Sequence, residues 1–382
     1  MPEPPTLCMI FEAIGPYSAI GRVAMQGVQL ALDAGWKVTV VAKRLDDGLQ
    51  NRVEWLKLYV PPKLFALQWT TARYFIKKAL GDRKFDVVHA HQPQVADLSD
   101  LFQCHYLTRA AYERNSLTRV RDLRTGFIRV QEQVVLRFED FFYSHWNPTT
   151  RMLYDSALTR SDFHRLYDKL PREDTFVYAF PDVKFPTSAE REQARIKIFG
   201  SDAAAEIRVP VLGYLGGLHE RKGYRRILAN LETGPEVFLL MGGQYSHGFE
   251  APRLAGRFKA MGLVEDIRTF YHACDAFVVA SYYEPLGLVA FEAAAHGLPV
   301  VATEEVGALP HLIEYEAGVS WDGVQPLSRV VLDVIQKREH CNAGARRMEQ
   351  DLGVAAYGAR LLREYDSVKS SPEKSSRLQS AQ

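Results

Sequence analysis

Two glutamates, Glu284 and Glu292, stand in a stretch whose turn and helix signals are easy to read: Ser281-Tyr-Tyr-Glu284-Pro-Leu-Gly287-Leu-Val-Ala-Phe-Glu292-Ala-Ala-Ala-His-Gly297-Leu-Pro299-Val-Val-Ala. The apolar run Asp275-Ala-Phe-Val-Val-Ala280 before it reads as a buried strand. Pro285 and Gly287 make a turn, Leu288 to Ala295 an apolar helix, and Gly297 the helix end. The first N–H groups of such a helix, at Gly287, Leu288 and Val289, lack intrahelical acceptors and suit a pyrophosphate. Glu292 sits about one turn in, between Phe291 and Ala293–Ala295, and a carboxylate on so apolar a helix needs a partner. Two solvent-facing glutamates are the plainer alternative.

A second segment, Val211-Leu-Gly213-Tyr-Leu-Gly216-Gly217-Leu-His-Glu-Arg221-Lys222-Gly223-Tyr, reads as a strand, a glycine turn and paired cations opening a helix. Gly216 lets backbone approach a ligand closely. Arg221 and Lys222 can offset diphosphate charge and stabilise a departing nucleoside diphosphate. Alone, such a pair is more often solvated; beside the first segment it gains a function. In the first half, Gly15-Pro-Tyr-Ser18-Ala19-Ile-Gly21-Arg22 joins a strand to a helix. It is not G-x-G-x-x-G, which argues against a dinucleotide site. His105 ends the short run Leu101-Phe-Gln-Cys104, and His89 and His91 lie in Val88-His-Ala-His91. From sequence alone a lone histidine there reads as structural. No Asp-x-Asp pair follows a strand, so no metal site and no cofactor are expected.

These residues need scaffolds. Thr6–Phe11, Lys37–Ala42, Phe85–Ala90 and Thr175–Phe180 read as strands, with a helix over Arg22–Ala34 that Gly35 ends. Val209–Leu215, Val237–Met241, Ala276–Ala280 and Pro299–Ala302 repeat the pattern. Alternating strands and helices imply parallel sheets covered on both faces. The 382 residues fit two domains. The expected division is 1–185, 186–352, a last helix over 353–366, and a Ser/Lys-rich disordered tail over 367–382. Two doubly wound domains bind ligands at their strand C-termini, which predicts a site in a cleft between them. With 47% hydrophobic residues, 24% charged and a net charge of +1, composition indicates a globular chain and no nucleic-acid partner. Four scattered cysteines form no metal or disulfide pattern. The N-terminus lacks a signal-peptide pattern and no run of about 18 apolar residues occurs, so a cytoplasmic location is expected.

The Glu284–Glu292 frame resembles glycosyltransferase family 4, whose hallmark is E-P-x-G-x-x-x-x-E-A-x-A-x-G-x-P-V-V-A. The resemblance implies a GT-B fold, two Rossmann-like domains facing across a cleft, and a retaining enzyme. It would move a hexose-type sugar from a nucleotide-diphosphate sugar, a substrate rather than a cofactor, to a sugar, lipid-linked or glycan acceptor, without a metal. It implies that Glu292 binds the ribose and that Glu284 and His105 contact the donor sugar, with His89 and His91 structural or on the acceptor side. Gly216, Arg221, Lys222, Gly287, Leu288 and Val289 would hold the donor, and the Ser18, Ala19, Gly21 loop would face it. Gly217 stands where the family has arginine in V-G-R-x-x-x-x-K-G, Ser18-Ala19 where it has a glycine pair, and Tyr178-Ala-Phe-Pro181-Asp182 where it has Asn-Gly-x-Asp. Another GT-B enzyme, such as an epimerase or phosphorylase, and a non-catalytic scaffold are the rival readings.

Between His105 and Arg137 lie Arg109, Arg114, Arg119, Arg121, Arg124, Arg129 and Arg137 against three acids, and Leu64–Lys78 adds aromatic and basic residues. The plain reading is a solvated helical face. The other is an anionic membrane surface as partner, with the protein peripheral at the inner face.

Overall fold

A computed structural model describes residues 3–59, 65–114, 123–147, 149–171, 174–233, 236–254 and 256–370, without the side chains of 65–70 and 123–132. The chain forms two compact units. One comprises Met1–Glu113, Arg119–Tyr178 and Tyr357–Gln382, the other Arg114–Thr118 and Ala179–Ala356.

The first unit is built on a seven-stranded parallel sheet. Its strands are β1 (Thr6–Ile10), β2 (Lys37–Ala42), β3 (Glu54–Lys57), β4 (Val87–Ala90), β5 (Leu101–Cys104), β6 (Arg151–Tyr154) and β7 (Asp174–Phe176), in the order β3-β2-β1-β4-β5-β6-β7. β1 is buried from Leu7 to Ile10, as the apolar run requires of a strand covered on both faces. The last strand is shorter than the run Thr175–Phe180 suggests. It stops at Phe176, and Phe180 instead bridges to Gly353 in the second unit. Helix α1 (Ala19–Asp33) starts before the expected Arg22, because Ser18 caps it: its hydroxyl accepts from the Gly21 N–H at 3.0 Å.

The second unit repeats the plan with β8 (Val211–Leu215), β9 (Phe238–Gly242), β10 (Phe258–Ala260), β11 (Ala276–Val279), β12 (Val300–Ala302) and β13 (Gly318–Ser320). The order is β10-β9-β8-β11-β12-β13, all parallel. Leu212, Leu239, Val278 and Val301 from four neighbouring strands pack with Ile227, Val331 and Trp321 in one fully buried cluster. α2 (Ile267–Ala273) and α3 (Leu288–Ala295) flank this sheet.

The last helix, α4 (Val354–Lys369), enters the first unit at Tyr357. The Tyr365 ring lies 5.5 Å from that of Trp36, and its hydroxyl meets His89 Nδ1 at 2.9 Å. With Leu361 and Tyr365 fully buried and no glycine or proline before Pro372, the helix runs on to Lys369, into the stretch expected to be tail. Residues 371–382 lie outside the described residues.

Candidate functional site

In the second unit the chain lays strands outward from β8 to β10, then crosses back to place β11 on the other flank of β8. Loops leaving two adjacent strands with opposite onward directions open a crevice at their C-terminal ends. Here those loops are Gly216–Gly223 after β8 and Ala280–Gly287 after β11, which carry the two segments singled out in the sequence.

The loops are bonded to each other. The Tyr282 N–H donates to the Arg221 carbonyl at 2.9 Å, and Arg221 Nη1 donates to the Tyr283 carbonyl at 2.7 Å. Lys222 Nζ pairs closely with Glu284 Oε2, Arg221 Nη1 stands 3.6 Å from the same oxygen, and the Ser281 hydroxyl donates to it at 3.3 Å. Arg221 and Lys222 thus face Glu284 rather than open solvent. Burial pulls the Lys222 ammonium below the usual lysine range; Glu284 opposes that shift and Arg221 adds to it. Two cations around one carboxylate leave a net positive charge.

Gly287 sits at φ 87° as the N-cap of α3 and supplies no capping side chain, so the helix opens with uncapped N–H groups beside Glu284. A Cβ there would lie 3.0 Å from Val306 Cγ1 and 3.1 Å from Glu284 Cγ, which reserves the position for glycine. Glu292, half-buried on α3, has the partner that its apolar helix demands: the buried Tyr271 hydroxyl donates to Oε2 at 3.0 Å.

In the first unit, residues after three adjacent strands converge in the same manner. His91 follows β4, His105 follows β5 and Asp155 follows β6. His105 Nδ1 meets Asp155 Oδ2 at 2.6 Å and His105 Nε2 meets His91 Nδ1 at 2.7 Å, while Gln103 donates to Asp155 Oδ1 at 2.9 Å. His89 stacks obliquely on His91 at 4.4 Å. Burial, then the neighbouring His105, lowers His89 to about 3; burial, then His89 and His105, holds His91 well below the usual histidine range. Both ring nitrogens of His105 therefore face protein groups. Asp155 and Gln103 escaped the sequence reading; the only signal was an acid one residue beyond an apolar run.

Residues 209–336 match the family described as Glycosyl transferases group 1. The lipopolysaccharide core biosynthesis glycosyltransferase LpsE of Rhizobium meliloti is 34% identical over 119 residues, 30% of this chain and 35% of that protein. The chain thus spans about a third of the length of the curated relatives it matches first. Among solved structures, WaaG, a glycosyltransferase involved in lipopolysaccharide biosynthesis, superimposes with a TM-score of 0.72 at 16% identity, covering 96% of this chain and all of the other. HepE from Anabaena in complex with UDP-glucose does so with a TM-score of 0.66 at 13% identity, covering 95% and 99%. The two parallel-sheet units therefore have the GT-B fold.

Within the second unit the glycine in place of arginine has a steric cause. Gly217 adopts φ 57°, and a Cβ on it would lie 2.0 Å from the Gln244 carbonyl oxygen. Any side chain there needs a displaced backbone. Ser18 in place of glycine is the α1 cap already described; Ser18 and Ala19 are exposed and Gly21 is buried. A cavity of about 360 Å³ in the second unit lies elsewhere, before the start of β11, where Asp275 binds Arg191 at 2.6 Å and Arg195.

The arginine-rich segment is only partly described. Arg119 and Arg121, and the side chains of Arg124 and Arg129, lie outside the described residues. Arg109 forms a two-pronged pair with Asp140, so it is not a solvated cation. Arg137, Phe138 and Phe141 on one helix and Tyr74, Lys77 and Lys78 on another are exposed. Among the described residues no helix is long and apolar enough to cross a membrane.

Proposed function

We propose that the protein is a retaining family 4 glycosyltransferase that moves a hexose-type sugar from a nucleoside-diphosphate sugar to a lipid-linked or cell-envelope glycan acceptor. The observation that carries this reading is the junction of Lys222, Arg221, Glu284 and the uncapped start of α3 at the β8–β11 crossover. A cation pair and helix N–H groups at such a crevice suit a diphosphate. The diphosphate takes over Lys222 and Arg221 from Glu284, which turns to the sugar hydroxyls, while Glu292 holds the ribose hydroxyls. In the transfer the bond from the anomeric carbon to the phosphate oxygen breaks as the acceptor oxygen bonds to the same face. The acceptor proton passes to the leaving diphosphate, so no protein nucleophile is needed. Lys222, Arg221 and the α3 N–H groups stabilise the charge that develops on the diphosphate. The reading also assigns His105 to the donor sugar, its Nε2 turning from His91 to a sugar hydroxyl while Asp155 holds Nδ1. HepE, solved with UDP-glucose, supports the donor class, and LpsE and WaaG, named for lipopolysaccharide synthesis, the acceptor class. The reading places the enzyme in the cytoplasm, peripheral at the inner membrane face.

A thermal-shift panel of UDP, GDP and ADP tests it, since a ligand at about 100 times its Kd stabilises the native state by about 2.7 kcal/mol. A shift with one of them, and slow hydrolysis of the matching sugar donor without acceptor, are expected. No shift and no hydrolysis would leave a scaffold. Turnover is expected to survive EDTA; loss restored by magnesium or manganese would overturn metal-independence.

A further inference from the structure

We infer that Tyr271 is the positioning residue for Glu292 and so for the ribose of the donor. This rests on the reading of Glu292 given above, and goes beyond it by naming what aims the carboxylate.

Tyr271 lies on α2, 21 positions before Glu292, and its ring is fully enclosed. One face stacks on His296 with centroids 5.1 Å apart and planes within 20°. Phe277 meets the ring edge-on at 5.5 Å and Phe270 at 6.0 Å. Held on these sides, the ring cannot swing, so its hydroxyl has one place to be. A buried phenol needs a hydrogen-bond partner, and Glu292 Oε2 at 3.0 Å is one. The constraint runs both ways. Glu292 has rotatable bonds of its own, on a helix whose other residues are small or apolar. A bond to a fixed donor removes that freedom before a ligand arrives. A carboxylate accepts at about four lone-pair sites, so a phenol on one oxygen is compatible with diol hydroxyls at others. His296 itself is held by His272, whose Nε2 meets its Nδ1 at 3.2 Å.

The inference separates from a merely structural role by ligand selectivity. The probe is whichever of UDP, GDP and ADP binds the wild type best, with its 2′,3′-dideoxy counterpart, titrated calorimetrically into wild type, Tyr271→Phe, Glu292→Ala and the double variant. The wild type should prefer the ribose form. Tyr271→Phe, which keeps the ring and its packing, should weaken the ribose form about five- to tenfold, about 1–1.4 kcal/mol and less than the loss of Glu292 itself, and leave the dideoxy form unchanged. Adding Tyr271→Phe to Glu292→Ala should cost nothing more, because Tyr271 acts through Glu292. In turnover, KM for the donor should rise with little change in kcat. Equal weakening of both ligands, or a ribose preference left intact by Tyr271→Phe, would overturn the inference alone. A wild type without ribose preference would overturn the ribose role of Glu292 as well.

Discussion

The two units share a sheet plan, yet the strand ends at their crossovers carry opposite chemistry. The second unit gathers Lys222, Arg221 and Glu284 around one carboxylate oxygen, charges in contact and part exposed. The first gathers His89, His91 and His105, which are buried and, for His89 and His91, held neutral. A cluster of cations suits a dianionic ligand that can displace the single glutamate. A buried imidazole chain cannot do this, since charging it means desolvating a cation. It suits orientation of a polar contact instead. The same fold thus provides a charged end in one unit and a neutral end in the other, through the residues that follow each strand.

The largest effect expected from breaking this contrast is on the charged end. Replacing Arg221 and Lys222 together by alanine should lower turnover by several orders of magnitude, at about 1.5–3 kcal/mol for each charge-assisted bond. Near-normal turnover in steady-state assays would place the diphosphate elsewhere. Glu292→Ala comes next: nucleoside-diphosphate affinity should fall about 10- to 100-fold, the equivalent of about 1.4–2.8 kcal/mol. Unchanged affinity by calorimetry would remove the ribose role.

On the neutral end the handle is pH. His89 has an ordinary value of 6.5 that is lowered to about 3 in the folded unit, so the unfolded chain binds the proton first. Its contribution is complete above about pH 6.5 and is lost as pH falls toward 3. The slope is about 1.4 kcal/mol per pH unit for each such histidine. His89→Gln keeps a group that can bond the Tyr365 hydroxyl and removes the titration. Between pH 7 and pH 5 the wild type should therefore lose about 2 kcal/mol more than the variant over the titrating range. Hydrogen exchange of peptides covering Val87–Ala90 reads this in the first unit alone; equal losses would mean His89 is not the group that titrates.

How far the sequence reached differs between the two ends in the same way. The second unit's charged segments were legible because they are short and strongly punctuated: Gly287, Gly297 and Pro299 bound a helix whose observed span, Leu288–Ala295, matches the expected one. The need of Glu292 for a partner was also readable, but not that Tyr271 supplies it, since no periodicity links α2 to α3. The first unit's cluster joins residues from three strands, with Asp155 50 positions from His105. Nothing local marks Asp155 as different from any acid at a strand end. The strand expected to run to Phe180 failed for a similar reason: Val177, Tyr178 and Phe180 are buried, but Phe180 bridges to Gly353 rather than extending β7. Ser18 read as a substitute for glycine because its capping bond to Gly21 depends on a backbone conformation that composition does not reveal.

The smallest effect expected is at the surface of the first unit, and it tests whether that unit meets a membrane. Tyr74, Phe138 and Phe141 are exposed, Phe141 at 54% and Tyr74 at 64%, with Lys77, Lys78 and Arg137 also exposed on the same two helices. Arg109 adds no attraction of its own, because Asp140 offsets its charge. Each basic residue near an anionic leaflet contributes about 1 kcal/mol at best, and the attraction fades within a Debye length of about 10 Å at 0.1 M salt. Three such residues give weak, reversible binding, and exposed rings add apolar area at the headgroup boundary. Co-sedimentation should show binding to phosphatidylserine-containing vesicles at low salt and none to phosphatidylcholine vesicles. High salt should release the protein. Lys77→Glu with Lys78→Glu should abolish binding while leaving nucleoside-diphosphate affinity in the second unit unchanged. If the wild type ignores anionic vesicles at low salt, the acceptor is a soluble one and these side chains are an ordinary solvated face.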